Sequence, residues 1–458
     1  MRGWPRRAVG QLEKMMRVTS LVAGLGLTAS MLPLAAALAQ PVDPIAPLPP
    51  VAVPGQAADP LVAQPEAPVL PPPLWRADSV AQLAAYIRAV GRDGLDPLDY
   101  DAAGLDRALR SGDPVLWSAT ATNTFNKLSS DLALGHVRGD ARVDWHVVDK
   151  DLDPARQRLL LDTALATGQL AKALDGLAPT HPQYGALRYA LAVTPKTETA
   201  KINRIRLNMD RWRWLPRELG QKYIIVNVPA YHATLVENGA TRWKHKAIAG
   251  AIKTPTPQLT AMATGVILNP WWEVPTSISK EVAGKKGYVA VKGKDGKVQR
   301  WRQPPGPSNA LGQMKFVMPN SYAIYLHDTN ARSRFNSSVR ALSHGCIRTE
   351  HIHDLAAELG SDDAGEWTRD KIDEVLATKK TVEAKFVKPL PVYIVYFSAA
   401  ALLDGKIVDY KDLYGRDAKA MAALQMKDGG ASLAVPKKPA EQVAGQAKPK
   451  PKAQVATR

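Results

Sequence analysis

Along residues 75–195 apolar side chains recur three and four positions apart. "VAQLAAYIRAV" (80–90) and "ARQRLLLDTALATGQLAKALDGL" (155–177) carry the pattern, which predicts amphipathic helices. "DPLDYDAAGLDRAL" opens with Asp and Pro, as helix starts do. From Lys201 the pattern changes. "KINRIRLNMDRWRWLP" places Ile202, Ile205, Met209 and Trp212 on one face of a short helix that Pro216 follows. Strand-like runs come next: "KYIIVNVPAYHATLVENG", "KHKAIAGAI", "TGVILNPWWEV" and "KFVMPNSYAIYLHD", punctuated by glycine, proline and Asn-Gly. A helix is expected to start near Thr349, with Ile352, Leu355 and Leu359 as its buried stripe. A last strand, "LPVYIVYFSA", precedes a short hairpin and loop, "DGKIVDYKDLYGRD". The fold class is therefore α+β: a helical region over 75–200, then a β-rich region over 201–425.

The ends have a different composition. A basic segment ending at Arg17 is followed by an uncharged run from Val18 to Val42, with Ala37-Leu38-Ala39 as a cleavage site. Residues 1–39 read as an export signal, or as an N-terminal anchor if uncleaved, and the expected location is the periplasm. Residues 40–74 are a proline-rich spacer, with twelve prolines between 41 and 73. Residues 426–458 form a basic Lys/Pro/Ala-rich tail without periodicity, read as disordered. The net charge of +17 is concentrated at these two ends, neither of which interleaves aromatics with its charges. No nucleic-acid partner is expected, and a membrane is met only through an uncleaved N-terminal segment.

Cys346 is the only cysteine of the 458 residues. In an oxidising compartment it has no internal disulfide partner. Gly345 before it allows a tight turn and close backbone approach. The helix expected just after it would aim its positive end at the sulfur and favour thiolate, and backbone N–H groups around Gly345 and Cys346 would form an oxyanion hole. These features together predict a nucleophile, which needs a base. In "SYAIYLHDT", alternation puts Tyr322, Ile324 and Leu326 on one face, with Tyr325 and His327 on the other. His327 is one candidate base; His344, two residues before the cysteine, is the other. His351 and His353, two apart on the expected helix, splay; they read as surface residues, and no metal site is expected. His136, His146 and His181 read as structural or surface histidines.

The spacing H-x15-S-H-G-C-I-R, from His327 through Ser343, His344, Gly345 and Cys346 to Arg348, resembles the signature of YkuD-type L,D-transpeptidases. "RWRWLP", "YIIVNVPAY", "NPWWEVPTSI", "RQPPGPSNALGQMKF" and "YLHDT" resemble the large Gram-negative branch of that family, and "APTHPQYGALR" its scaffold domain. The resemblance implies a β-sandwich or barrel-like catalytic domain with a helix after the catalytic cysteine, plus a helical scaffold domain. It implies Cys346 as the acylated nucleophile, His327 as general base, and the backbone of His344–Cys346 as oxyanion hole. Tyr325, Arg348, Ser343, Asn269, Trp271 and Trp272 would contact substrate. The implied reaction is acyl transfer from a peptidoglycan stem tetrapeptide to an amine of another stem. No cofactor is required, and other cell-wall synthesis proteins are the further partners. A cysteine amidohydrolase acting on stems or lipoprotein linkages, and a non-catalytic wall-binding scaffold, are the alternatives. Two departures stand out. "ALRYALAVTPKTETAKINRIRLNMDRW" joins the scaffold directly to the "RWRWLP" helix without a peptidoglycan-binding module, and the lid stretch Glu273–Arg300 is short and rich in glycine and lysine.

Overall fold

A computed structural model describes residues 72–431 other than 149 and 403. The expected signal, most of the proline-rich spacer and the tail beyond residue 431 lie outside the described residues. The helical region consists of α1 (Ala77–Ala89), α2 (Ala102–Arg110), α3 (Pro114–Leu134), α4 (Pro154–Thr167), α5 (Leu170–Asp175), α6 (Pro182–Val193) and α7 (Thr199–Arg213). Local chemistry sets the helix starts. Asp101, Asp113 and Asp153 each cap a helix by accepting from a backbone N–H of its first turn, and Pro114, Pro154 and Pro182 occupy first-turn positions where no N–H is needed. Val80, Leu83, Ile87, Leu105, Phe125, Leu128, Leu132, Leu161 and Leu170 form the core of this region. Among the described residues no helix is long and apolar enough to cross a membrane.

The second region begins with β1 (Lys222–Asn227), β2 (His232–Glu237), β3 (Ala240–Gly250) and β4 (Leu259–Leu268). A flap follows, made of β5 (Trp272–Glu273), α8 (Ser279–Val282), β6 (Val289–Lys292) and β7 (Val298–Gln303). Then come β8 (Met314–Val317), β9 (Leu326–His327), β10 (Ala341–Ser343), β11 (Ile347–Thr349), α9 (Ile352–Ser361), α10 (Arg369–Ala377), β12 (Val382–Val395), β13 (Ala399–Ala401), β14 (Ile407–Asp409) and α11 (Arg416–Leu424). The main sheet has the order β10-β3-β11-β9-β8-β4-β12-β1-β2, and a further β2–β3 pairing closes it on itself. A closed sheet leaves no long edge for other chains to pair with. Its interior holds Leu235, Leu259, Val266, Phe316, Leu326, Ile347 and Val392, and α9 adds Ile352, Leu355 and Leu359.

The two regions share a core, so the boundary expected at residue 200 falls within one packed unit. Tyr184 and Leu187 of α6 and Ile205, Met209 and Trp212 of α7 pack with Tyr223, Val236, Tyr393 and Phe397 of the sheet region. Trp212 stacks between His181 and Phe397, with ring centroids 4.1 and 4.4 Å away. Asn208 and Ser398 exchange two hydrogen bonds across this seam, at 2.9 and 3.1 Å.

One local expectation is overturned. The residues after Cys346 do not enter a helix. Ile347–Thr349 continue the sheet as β11, paired with β9 on one side and β3 on the other. The β-branched Ile347 and Thr349 are both buried, and the period-2 pattern of that segment outweighs the helical stripe beyond it. Helix α9 starts at Ile352, after His351 in a left-handed conformation (φ 51°).

Candidate active site

Strand register assembles the site. β9 runs parallel to β11 with Leu326 opposite Ile347 and His327 opposite Arg348. Leu326 and Ile347 point into the core. The alternating residues Tyr325, His327, Cys346 and Arg348 therefore share the other face. Cys346 lies beside Tyr325 and diagonal to His327. The Tyr325 and His327 rings meet edge to face at 5.7 Å. The alternation expected for residues 322–327 does not extend as far as Tyr322: Ala323 has φ 53°, and Tyr322 turns out to stack on His146 at 4.2 Å.

His327 is buried, and its Nδ1 lies 2.6 Å from the Asp328 carbonyl oxygen. A carbonyl only accepts, so Nδ1 carries the proton and Nε2 keeps its lone pair. Burial first, and then the Arg348 guanidinium, push the imidazole pKa down to about 3. His327 is thus neutral at any working pH. The half-buried Cys346 thiol contacts the Ala323 carbonyl at 3.5 Å. Burial raises its pKa; the Tyr325 backbone N–H and hydroxyl, Lys315 and Arg348 offset part of that rise. With no helix N-terminus at the sulfur, the expected dipole is missing. The resting pair is a neutral thiol and a neutral imidazole.

The turn holding the sulfur is built from its own residues. Gly345 has φ +114°, which a side chain would strain, and a Cβ there would come 3.2 Å from Ile324 Cδ1. Ser343 is buried. Its hydroxyl accepts from Gly345 N–H (3.1 Å) and donates to the Cys346 carbonyl (2.6 Å), so it shapes the turn from within and does not face a substrate. Thr256, which the sequence reading missed, donates to the Gly345 carbonyl at 2.7 Å and accepts from Gly250 N–H at 2.9 Å.

The other expected contacts divide. His344 is half-exposed, with its Nε2 3.5 Å from Glu281 of α8, so it faces the flap. Trp272 touches the Tyr325 hydroxyl and meets Tyr288 of the flap at 6.2 Å. Trp271 lies under Arg302, 4.2 Å from ring centroid to guanidinium. Arg348 is half-buried, and among the described residues its Nε has no hydrogen-bond partner. Asn269, expected beside the acyl donor, is buried. Its amide donates to the carbonyls of Val375, Leu376 and Lys380, closing the end of α10. It borders a polar cleft of about 750 Å³ that Gln313, Asp328, Arg332 and His353 also line, and that neither Cys346 nor His327 lines.

Behind the base lies a second network. The Asp328 carboxylate accepts from Gln313 N–H (2.9 Å) and Arg332 (3.0 Å) and faces His353 Nε2 (3.5 Å). Burial would raise its pKa, but the neighbouring His353 ring and the backbone N–H groups of Gln313 and Thr329 hold it below the ordinary carboxylate value. His353, expected on the surface, is buried against this carboxylate. Only a glycine fits at 312, where a Cβ would lie 2.3 Å from Asp328 Oδ2. Elsewhere His245, Glu350 and His351 bring possible ligand atoms within 4.8 Å of one another, but Glu350 already faces Lys246 at 3.8 Å.

Residues 221–381 match the L,D-transpeptidase catalytic domain of the YkuD family, and residues 71–191 match the Scaffold domain. The β-rich region is thus the part that matches an L,D-transpeptidase catalytic domain. A Haemophilus influenzae protein named as a candidate L,D-transpeptidase is 31% identical over 283 residues, which is 56% of this chain and 57% of that protein. The chain thus spans little more than half the length of the curated relative it matches. Among solved structures, the ertapenem-acylated catalytic domain of the E. faecium L,D-transpeptidase aligns at 15% identity and a TM-score of 0.21, over 39% of this chain and 99% of that domain. An L,D-transpeptidase from Mycobacterium smegmatis aligns at 15% identity and 0.20, over 38% and 58%. Of the Cys-His signature, His327 lies on β9 and Arg348 on the neighbouring β11 with Cys346 just before it, while Ser343 ends β10, which pairs with β3.

Proposed function

We propose that this protein is a peptidoglycan L,D-transpeptidase that forms 3–3 cross-links between stem peptides. The observation that carries the reading is the shared face of Tyr325, His327, Cys346 and Arg348, with His327 neutral and its Nε2 unprotonated. As the thiol attacks the carbonyl carbon after the third residue of a tetrapeptide stem, Nε2 takes its proton. The tetrahedral oxyanion falls to the backbone N–H groups of His344 and Cys346, because the Gly345 N–H is already bonded to Ser343. Collapse breaks the C–N bond, and the proton returns from His327 to the departing D-alanine amine. The thioester is then attacked by an amine of a second stem, whose proton passes to His327 and back to the sulfur. A neutral base suits both halves, since it accepts and releases one proton in each.

Arg348 supports recognition of an anionic stem, being a cation with an unmatched buried Nε. The basic then uncharged N-terminal sequence supports a periplasmic setting, which the mass of the mature N-terminus from an exporting host tests. For the activity, purified protein is incubated with a carbapenem and with tetrapeptide muropeptides. A mass adduct on Cys346 and dimeric 3–3 products are expected, and both vanish in Cys346→Ala. Trimmed monomers without dimers would instead identify an amidohydrolase, and no adduct at all would refute nucleophilic catalysis.

A further inference from the structure

Lys315 on β8 lies directly opposite His327 in the antiparallel β8–β9 pairing, and His327 lies opposite Arg348. One row across three strands therefore reads Lys315–His327–Arg348, and side chains in a row share a face. The Lys315 chain leans along the sheet toward the next row, where Tyr325 and Cys346 sit, and its ammonium is 5.2 Å from the Tyr325 ring centroid. The hydroxyl of that same ring contacts the sulfur. Lys315 is half-buried, and among the described residues no carboxylate lies within ion-pair distance of it. The acid that acts on it, Glu273 of β5, has Arg300 as its partner at 3.4 Å.

A half-buried ammonium without a counter-ion is unfavourable unless an anion completes its site. We infer that Lys315 is the electrostatic activator of Cys346, completed by the thiolate when the proton moves to His327. The facing groups fit this role. On β9 are Tyr325, a hydrogen-bond donor, and His327, neutral at rest; on β11 is the cation Arg348. On the flap, Glu273 pairs with Arg300 and Glu281 faces His344. Among the described residues the acid that competes with the sulfur for Lys315 is Glu273, and it is shared with Arg300. The same cation works against charge on His327, since Arg348 and Lys315 both disfavour the imidazolium. Lys315 thus favours the thiolate while urging the borrowed proton onward to the leaving amine.

The inference rests on Cys346 as nucleophile, and its test needs no acyl transfer, so the two readings fail separately. The full chain is alkylated with iodoacetamide from pH 5 to 10, and the rate is followed by intact mass. Lys315→Met is expected to move the midpoint up by about one pH unit and to slow alkylation at pH 7 about tenfold. Lys315→Arg is expected to restore the rate to within about threefold. An unchanged midpoint in a Lys315→Met protein with wild-type circular dichroism would overturn the inference. If Lys315→Met fails to fold, the wild type decides by NMR of its lysine ε-methylenes. An inflection of the Lys315 signal at the thiol midpoint, absent after alkylation, supports the pairing; a Lys315 signal indifferent to Cys346 ionisation removes it.

Discussion

Two buried histidines, one in each region, are treated in opposite ways. His136, at the end of the α3 segment, has both ring nitrogens matched: Nδ1 to Asp131 at 2.8 Å and Nε2 to the Met426 carbonyl at 2.7 Å. Asp131 also receives Tyr100, Lys127 and Arg138. Burial alone would lower the His136 pKa, but the hydrogen bond and charge of Asp131 raise it. His327 has a carbonyl on Nδ1, no carboxylate on the ring, and cations on both sides in its strand row. The helical region surrounds its histidine with anions and is saturated. The candidate site surrounds its histidine with cations and leaves a donor, Arg348 Nε, unmatched among the described residues. A saturated network holds structure; an unmatched one holds the place of a group that arrives later.

The comparison breaks most visibly if activity does not follow it. His327→Gln is expected to slow carbapenem acylation of Cys346 by at least about a hundredfold, the usual scale for losing a general base. His136→Gln is expected to leave acylation within about twofold, and intact-mass time courses compare the two. Stability is expected to run the other way. Asp131→Asn leaves Lys127, Arg138 and His136 without their shared anion and is expected to cost about 3–5 kcal/mol by denaturant unfolding. His327→Gln is expected to stay within about 1 kcal/mol of wild type.

The pH dependence sharpens the contrast. The folded pKa of His327 (about 3) and of His181 (about 4, lowered by burial) lie below the unfolded value of 6.5. Their contribution to stability is therefore complete above pH 6.5 and is lost as pH falls from 6.5 toward those values, by about 1.4 kcal/mol per pH unit for each group. His136 has a raised folded value, so its contribution is present below 6.5 and fades as pH rises through that value. Denaturation midpoints from pH 4 to 8 are expected to show a shallower acid limb in His327→Gln and a shallower neutral limb in His136→Gln. The smallest expected effect is at Asn269. Replacing it with Ala removes the closure of α10 and costs about 1–2 kcal/mol, with acylation within about twofold.

Much of the α+β order was legible in the sequence. Helical spacing marked α1, α4, α5 and α7, an Asp-Pro opening marked the approach to α2, and alternation in "YLHD" put Tyr325 and His327 on one face. What it hid depends on pairing between distant strands. Lys315 sits between the buried Met314 and Phe316 as an ordinary outward lysine, and only the register with His327 brings it beside the Tyr325 ring. The segment after Cys346 was misread because Ile352, Leu355 and Leu359 form a true helical stripe, while Ile347 and Thr349 belong to a ladder whose partners, β3 and β9, are remote in sequence. Ser343 and Asn269 look like substrate contacts in a motif, yet their hydrogen bonds go to backbone groups of the fold itself.

The most direct measurement is a ¹⁵N NMR titration of the two histidines in one sample of the full chain. His327 is expected to remain in the Nδ1–H tautomer, uncharged, to below pH 4.5, while His136 stays charged past pH 6.5. If His327 instead carries its proton on Nε2, or stays charged past pH 8, it is not a base waiting for the Cys346 proton and the account fails.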